Sequence, residues 1–276
     1  MMALLGTSSA AAMLSLEPTS KWTLREYEDK CRLKRTFGVG EDSVTLWLDQ
    51  GGEQQAFNLT LLGEPFANPY GPGIRIKPGE EDEIIRSYIS VKSSKGRPVL
   101  RMYGLTLVQP EMKRGKDLAE VNVRLGKERV AAVTSLKVSG AGLKGVTLAL
   151  GPMGEQFERL QTCGTRLEGL LSEAGRALTG EASPPEPLEP GSWLKSEDWP
   201  RYLLRARMEG QLEVRLTVNT KGRASGCTVL SSNRPQLFDD AVCLNLIQRA
   251  RFKPAVNAQK EPVASYYQTS IAFQIK

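Results

Sequence analysis

The chain has 276 residues, 40% apolar and 25% charged, the balance of an ordinary folded protein with room for about two domains. It contains no histidine, which excludes His-based triads, imidazole zinc sites and His-ligated haem together. The net charge of +6 falls entirely in residues 193–276, with 13 Lys and Arg against 7 Asp and Glu. A basic end suits an acidic partner, an anionic lipid head group or nucleic acid, or serves only to keep the protein soluble. No apolar run reaches the ~18 residues of a membrane-spanning helix.

The start, MMALLGTSSAAAMLSLEP, sets an apolar stretch before Ala10-Ala11-Ala12, although no Lys or Arg precedes Lys21. That order matches the h-region and small-residue cleavage site of a secretory signal. Residues 1–20 are read as a signal segment and the protein as exported. The four cysteines, Cys31, Cys163, Cys227 and Cys243, include no C-x-x-C pair, so neither a zinc ribbon nor a thioredoxin-type motif is present. In an exported chain an even count points to two disulfides with three connectivities. Cys227 and Cys243 share the C-terminal region and are paired on that ground, which leaves Cys31 with Cys163. In a chain that is not exported, the same residues are four buried thiols.

Residues 21–178 read as a β-rich domain. Residues 43–49 alternate with Val44, Leu46 and Leu48 on one side, and 56–62 with Phe57, Leu59 and Leu61. Further strands are expected at 73–77, 84–91, 99–108, 121–125, 130–138 and 146–150, separated by turn signals such as Asn68-Pro69-Tyr70-Gly71 and Ser93-Ser94-Lys95-Gly96. Short strands at this spacing predict a sandwich or barrel. From 154 to about 174, Phe157, Leu160, Leu167, Leu170 and Leu171 recur at helical steps, giving an amphipathic helix that carries Cys163. Residues 179–195 contain GEASPPEPLEPG, whose prolines and glutamates predict an extended, semi-rigid linker reaching roughly 35 Å.

Residues 196–276 read as a small α+β domain. A short basic helix at 200–207 precedes a hairpin, whose first strand, 211–219, puts Leu212, Val214, Leu216 and Val218 on one face. Thr220-Lys221-Gly222 makes the turn, and 223–231 return. Pro235 opens a helix running to about Ala250, with Asp239 and Asp240 in its first turn, where acids suit the dipole. The last strand, 264–275, shows Tyr267, Ile271, Phe273 and Ile275 on one side and Tyr266, Gln268, Ser270, Ala272 and Gln274 on the other.

This stretch resembles the C-terminal domain of the TonB family. The resemblance rests on Trp199-Pro200, Glu209-Gly210 before the alternating strand, Thr220-Lys221-Gly222-Arg223 at the hairpin, Leu230-Ser231-Ser232, and Arg251-Phe252-Lys253-Pro254-Ala255 before the last strand. It implies a three-stranded antiparallel sheet and a periplasmic, non-enzymatic module. Its last strand would pair with an extended segment of an outer-membrane TonB-dependent receptor or another envelope protein. The implied partner-binding residues are Ala264, Ser265, Tyr266, Gln268, Ser270, Ala272 and Gln274 on the edge, with Trp199 and Pro200 near the domain entrance. A homodimer is left open. The alternative is an energy transducer whose membrane anchor is missing from this chain.

Other motifs carry less. Gly140-Ala141-Gly142-Leu143-Lys144-Gly145 spells a dinucleotide fingerprint, but a strand follows where a helix is required, so it reads as a hairpin turn. Ser192-Trp193-Leu194-Lys195 spells the S-x-x-K of acylating serine enzymes without their Lys-Thr-Gly partner. Arg249, Arg251 and Lys253 form a basic row without an aromatic stacking platform, so nucleic acid is not an expected partner. No residue set argues for catalysis, a metal or a cofactor.

Overall fold

A computed structural model of the chain describes residues 13–51, 57–71, 73–108, 126–171, 181–198, 205, 210–232 and 236–273. The expected strand at 121–125 and residues 1–12 of the expected signal segment 1–20 lie outside the described residues. Two buried clusters organise the rest, one built from residues 16–171 and one from residues 193–252.

The first cluster lies between two sheets. One is six-stranded and antiparallel, in the spatial order Thr23–Glu26, Cys31–Phe37, Val44–Gln50, Phe57–Leu62, Pro98–Leu105, Ile89–Lys92. The other is five-stranded, in the order Leu14–Leu16, Val146–Ala149, Ser135–Gly140, Ile74–Pro78, Ile84–Arg86. Alternation turns Leu46, Leu48 and Leu59 of the first sheet and Ile76, Leu136 and Leu148 of the second into the common core, all at most 2% exposed. The long helix Gly154–Leu171 buries Phe157, Leu160, Cys163 and Leu167 against this core. Phe157 meets Phe57 edge-on at 6.0 Å, and Cys163 is bonded to Cys31 with Cα atoms 6.0 Å apart.

Three expectations are corrected. Residues 126–132 form a helix, and the strand begins only at Ser135. Lys127, Glu128, Arg129, Ala131 and Ala132 are good helix formers that outweigh one valine. The strand expected over 84–91 is broken at Ser87–Tyr88: Ile84–Arg86 pairs in the five-stranded sheet and Ile89–Lys92 in the six-stranded one, so the chain crosses between layers here. At the N-terminus, Leu14–Leu16 pairs in parallel with Val146–Ala149, and Leu16 is 5% exposed. The tail of the expected signal segment is therefore part of the fold.

The Pro/Glu-rich stretch does not run free either. Glu181–Ser183 pairs with Ala255–Asn257, and Glu186–Leu188 pairs with Arg251–Lys253. Short strands tolerate proline because only one edge of each needs donors. Trp193 then enters the second cluster at 3% exposure. Its ring packs on Phe252 at 5.0 Å and Tyr267 at 6.2 Å, and its indole N–H donates to the Leu188 carbonyl at 2.9 Å. What composition marks as a spacer is a strap bound to the C-terminal region.

Candidate functional site

The C-terminal sheet is three-stranded and antiparallel, in the order Ala224–Ser232, Gly210–Val218, Ser265–Phe273. Leu212, Val214, Leu216 and Val218 are all at most 1% exposed beneath the helix Gln236–Arg249, which adds Phe238, Val242 and Leu246. Cys243 on that helix is bonded to Cys227 on the sheet. The hairpin turn is closed by Asn219, whose Oδ1 accepts from the N–H groups of Lys221 and Arg223. Gly222 has φ +66°, and a Cβ there would stand 2.0 Å from the Phe252 carbonyl oxygen, so only glycine fits.

The strand Ser265–Phe273 pairs with Gly210–Val218 from Val218↔Ser265 to Gly210↔Phe273. Among the described residues it has this one neighbour, so it is an edge. Tyr267, Ile271 and Phe273 turn onto the second core, while Gln268, Ser270 and Ala272 are exposed on the outer face. The remaining residues assigned to partner binding behave differently. Ser265 has no exposed surface. Ala264 lies just before the strand, and both Ala264 and Tyr266 pack against the first core. Trp199, Pro200 and Gln274 lie outside the described residues.

Tyr266 is held by a cluster that the sequence did not announce. Its hydroxyl donates to Glu168 Oε2 at 2.6 Å and lies 3.1 Å from the Gly51 carbonyl oxygen. Arg215, opposite Gln268 in the ladder, donates to both Glu168 oxygens at 2.7 and 3.2 Å. Its guanidinium also stacks 4.4 Å above the Tyr266 ring. Burial, reinforced by the Glu168 carboxylate, pushes the Tyr266 hydroxyl up and keeps it protonated. Thr220 of the hairpin adds a hydrogen bond to Glu28 at 2.8 Å. Glu168 was hidden because a single acid beside Leu167 on an amphipathic helix reads as part of the solvated face.

A cavity of about 220 Å³ lies beside this cluster, between the sheet and the strand Pro98–Leu105; Asp49, Tyr103, Arg215, Thr228, Asp239 and Asp240 are among its lining residues. Burial raises the Asp239 carboxyl above its ordinary value, although Ser232 Oγ donates to it at 2.6 Å. Asp198 shows the opposite balance. Burial opposes its charge, but hydrogen bonds from Arg249 and the Lys195 N–H outweigh it and hold the carboxyl below its ordinary value. The basic row is largely spoken for, with Arg249 on Asp198 at 2.9 Å and Lys253 on Glu186 at 3.0 Å.

Among the described residues no helix is long and apolar enough to cross a membrane, and no group of His, Cys, Asp or Glu has a metal-binding arrangement. No curated protein matches the chain. The single neighbour of the last strand, the hairpin and the helix bonded to it together occupy the stretch that does find a relative: residues 196–275 match the family described as the Gram-negative bacterial TonB protein C-terminal.

Proposed function

We propose that this is a non-enzymatic periplasmic protein that captures an extended segment of an outer-membrane receptor, or of another envelope protein, by adding it to the outer edge of its C-terminal strand. The observation that carries the reading is that, among the described residues, this strand is paired along one side only, next to a middle strand whose inner face, Leu212 to Val218, is buried. An open edge offers N–H and C=O groups to an incoming strand, which supplies affinity through the backbone and specificity through alternate side chains. The family match to the TonB C-terminal domain supports the class of partner. In this reading residues 21–178 and 196–276 are two domains, the two buried clusters support that division, and the segment 179–195 belongs with the second.

Proline substitution tests it. Successive N–H groups along a strand point to opposite sides, so one of Gln268 and Thr269 donates into the sheet and the other faces the open edge. Proline at the edge-facing position leaves the fold intact and abolishes capture of the receptor segment, measured by pull-down with purified outer-membrane receptors. Proline at its neighbour breaks the ladder to Gly210–Val218 and unfolds the module. Gln268→Thr leaves capture unchanged. Full capture by a folded, edge-facing proline variant would place the site elsewhere.

A further inference from the structure

We propose that the N-terminal β-domain gates the edge strand through Glu168, covering its first residues and leaving the stretch from Gln268 onward open. This rests on the reading of Ser265–Phe273 as the pairing edge. Exposure divides the strand unevenly. Ser265 is wholly buried, and Ala264 and Tyr266 pack against the core of the other domain, whereas Gln268, Ser270 and Ala272 are exposed. A strand that belongs to one core thus begins under the cover of the other.

The contacts that hold the cover converge on one side chain. Glu168 receives Arg215 from the middle strand and Tyr266 from the edge strand, two neighbours on the outer face of the sheet. Arg215 and Glu168 are 19% and 14% exposed, so this pair is shielded from salt far more than a surface pair. Its geometry is charge-assisted and bidentate, the strong class of hydrogen bond. The neighbouring Glu28–Thr220 bond is exposed and weaker. Both acids come from segments joined by the Cys31–Cys163 bond: Glu168 follows Cys163 on its helix, and Glu28 sits in the turn that leads into the strand Cys31–Phe37. That bond fixes the two N-terminal arms of the latch relative to each other.

With the latch closed, a partner strand has residues 268–273 to pair with, a span of roughly 20 Å at ~3.4 Å per residue. Its outward side chains meet Gln268, Ser270 and Ala272, and its inward ones flank Thr269, Ile271 and Phe273. The partner segment is therefore short, polar or small on one face and apolar on the other. Opening the latch lengthens the edge by Ser265–Tyr267.

Hydrogen exchange of the full-length, disulfide-bonded protein reads this without any partner, so its outcome is separable from that of the capture experiment. In the native protein, amides of residues 264–267 are protected while those among 268–273 that face the open edge exchange fast. Glu168→Gln removes the charge at nearly constant size, and Tyr266→Phe removes only the hydroxyl. Either substitution raises exchange across 264–267 by roughly ten-fold or more, the loss expected for a charged hydrogen bond, and leaves residues 212–218 and 238–246 unchanged. Unaltered exchange at 264–267 in both variants overturns the proposal. So does a rise shared equally by residues 210–273, because Glu168 would then stabilise the module rather than cover its edge.

Discussion

Trp193 packs on Phe252 with ring centroids 5.0 Å apart, and the tryptophan sits before the first residue of the stretch matched to the TonB C-terminal family. The physical module therefore starts earlier than the family match. Its strap contributes two short strand pairings and a buried indole. A fragment of residues 181–276 is expected to fold cooperatively, whereas 196–276 is expected to be less stable by about 3–5 kcal/mol, the cost of deleting a buried tryptophan. Urea unfolding of the two fragments checks this. Equal midpoints would mean that the strap is passive.

The two disulfides should differ in worth. On the chain-entropy model a closed loop of about 15 residues contributes about 3 kcal/mol, and one above 100 residues about 5 kcal/mol. Replacing Cys227 and Cys243 together by alanine should lower stability by the smaller amount, and replacing Cys31 and Cys163 by the larger, since their sequence separations are 16 and 132. Thermal unfolding of the two double variants under non-reducing conditions tests the order. The reverse order would show that local packing outweighs loop closure.

Two aspartates predict opposite responses to pH. Asp239 has a raised folded-state value. Its contribution is complete below the unfolded value near ~4 and is lost as pH rises through the folded one. Asp239→Asn should therefore stabilise the protein at pH 7 and converge with the native chain in acid. Asp198 has a lowered folded-state value. Its contribution is present above the unfolded value and is lost as pH falls through the folded one, so Asp198→Asn should destabilise at pH 7 and converge with the native chain only in strong acid, below the lowered folded-state value. Denaturant unfolding followed from strong acid up to pH 8 measures both. Parallel curves for the two variants would refute the assignment.

The strand Leu14–Leu16 limits where an export signal can be removed. Cleavage before Met13 leaves the strand and its buried Leu16 in place, so, on the proposed export, the mature chain should begin at or before Met13 by N-terminal sequencing. Leu16→Ala should cost about 2–5 kcal/mol as a large-to-small core change. A mature N-terminus beyond Leu16 would show that the parallel edge pairing is dispensable.

Much of this protein is legible in its sequence because the information is local. Alternation at Leu212, Val214, Leu216 and Val218 dictates a strand with one buried face. The steps from Phe157 to Leu171 dictate a helix, and Asn219 to Gly222 dictate a turn that only glycine completes. The spacing of these elements is also what carries the resemblance to the TonB C-terminal domain. The strap and the latch depend on partners far along the chain. Composition sees prolines and glutamates in residues 181–192 and infers a solvated spacer, since it has no access to the unpaired edges of Arg251–Lys253 and Ala255–Asn257 that the strap fills. Glu168, Arg215 and Tyr266 are each unremarkable in sequence. Only the tertiary structure decides that helix packing against one core and strand register in the other bring them within hydrogen-bonding distance, where desolvation turns three ordinary side chains into the contact that limits the edge.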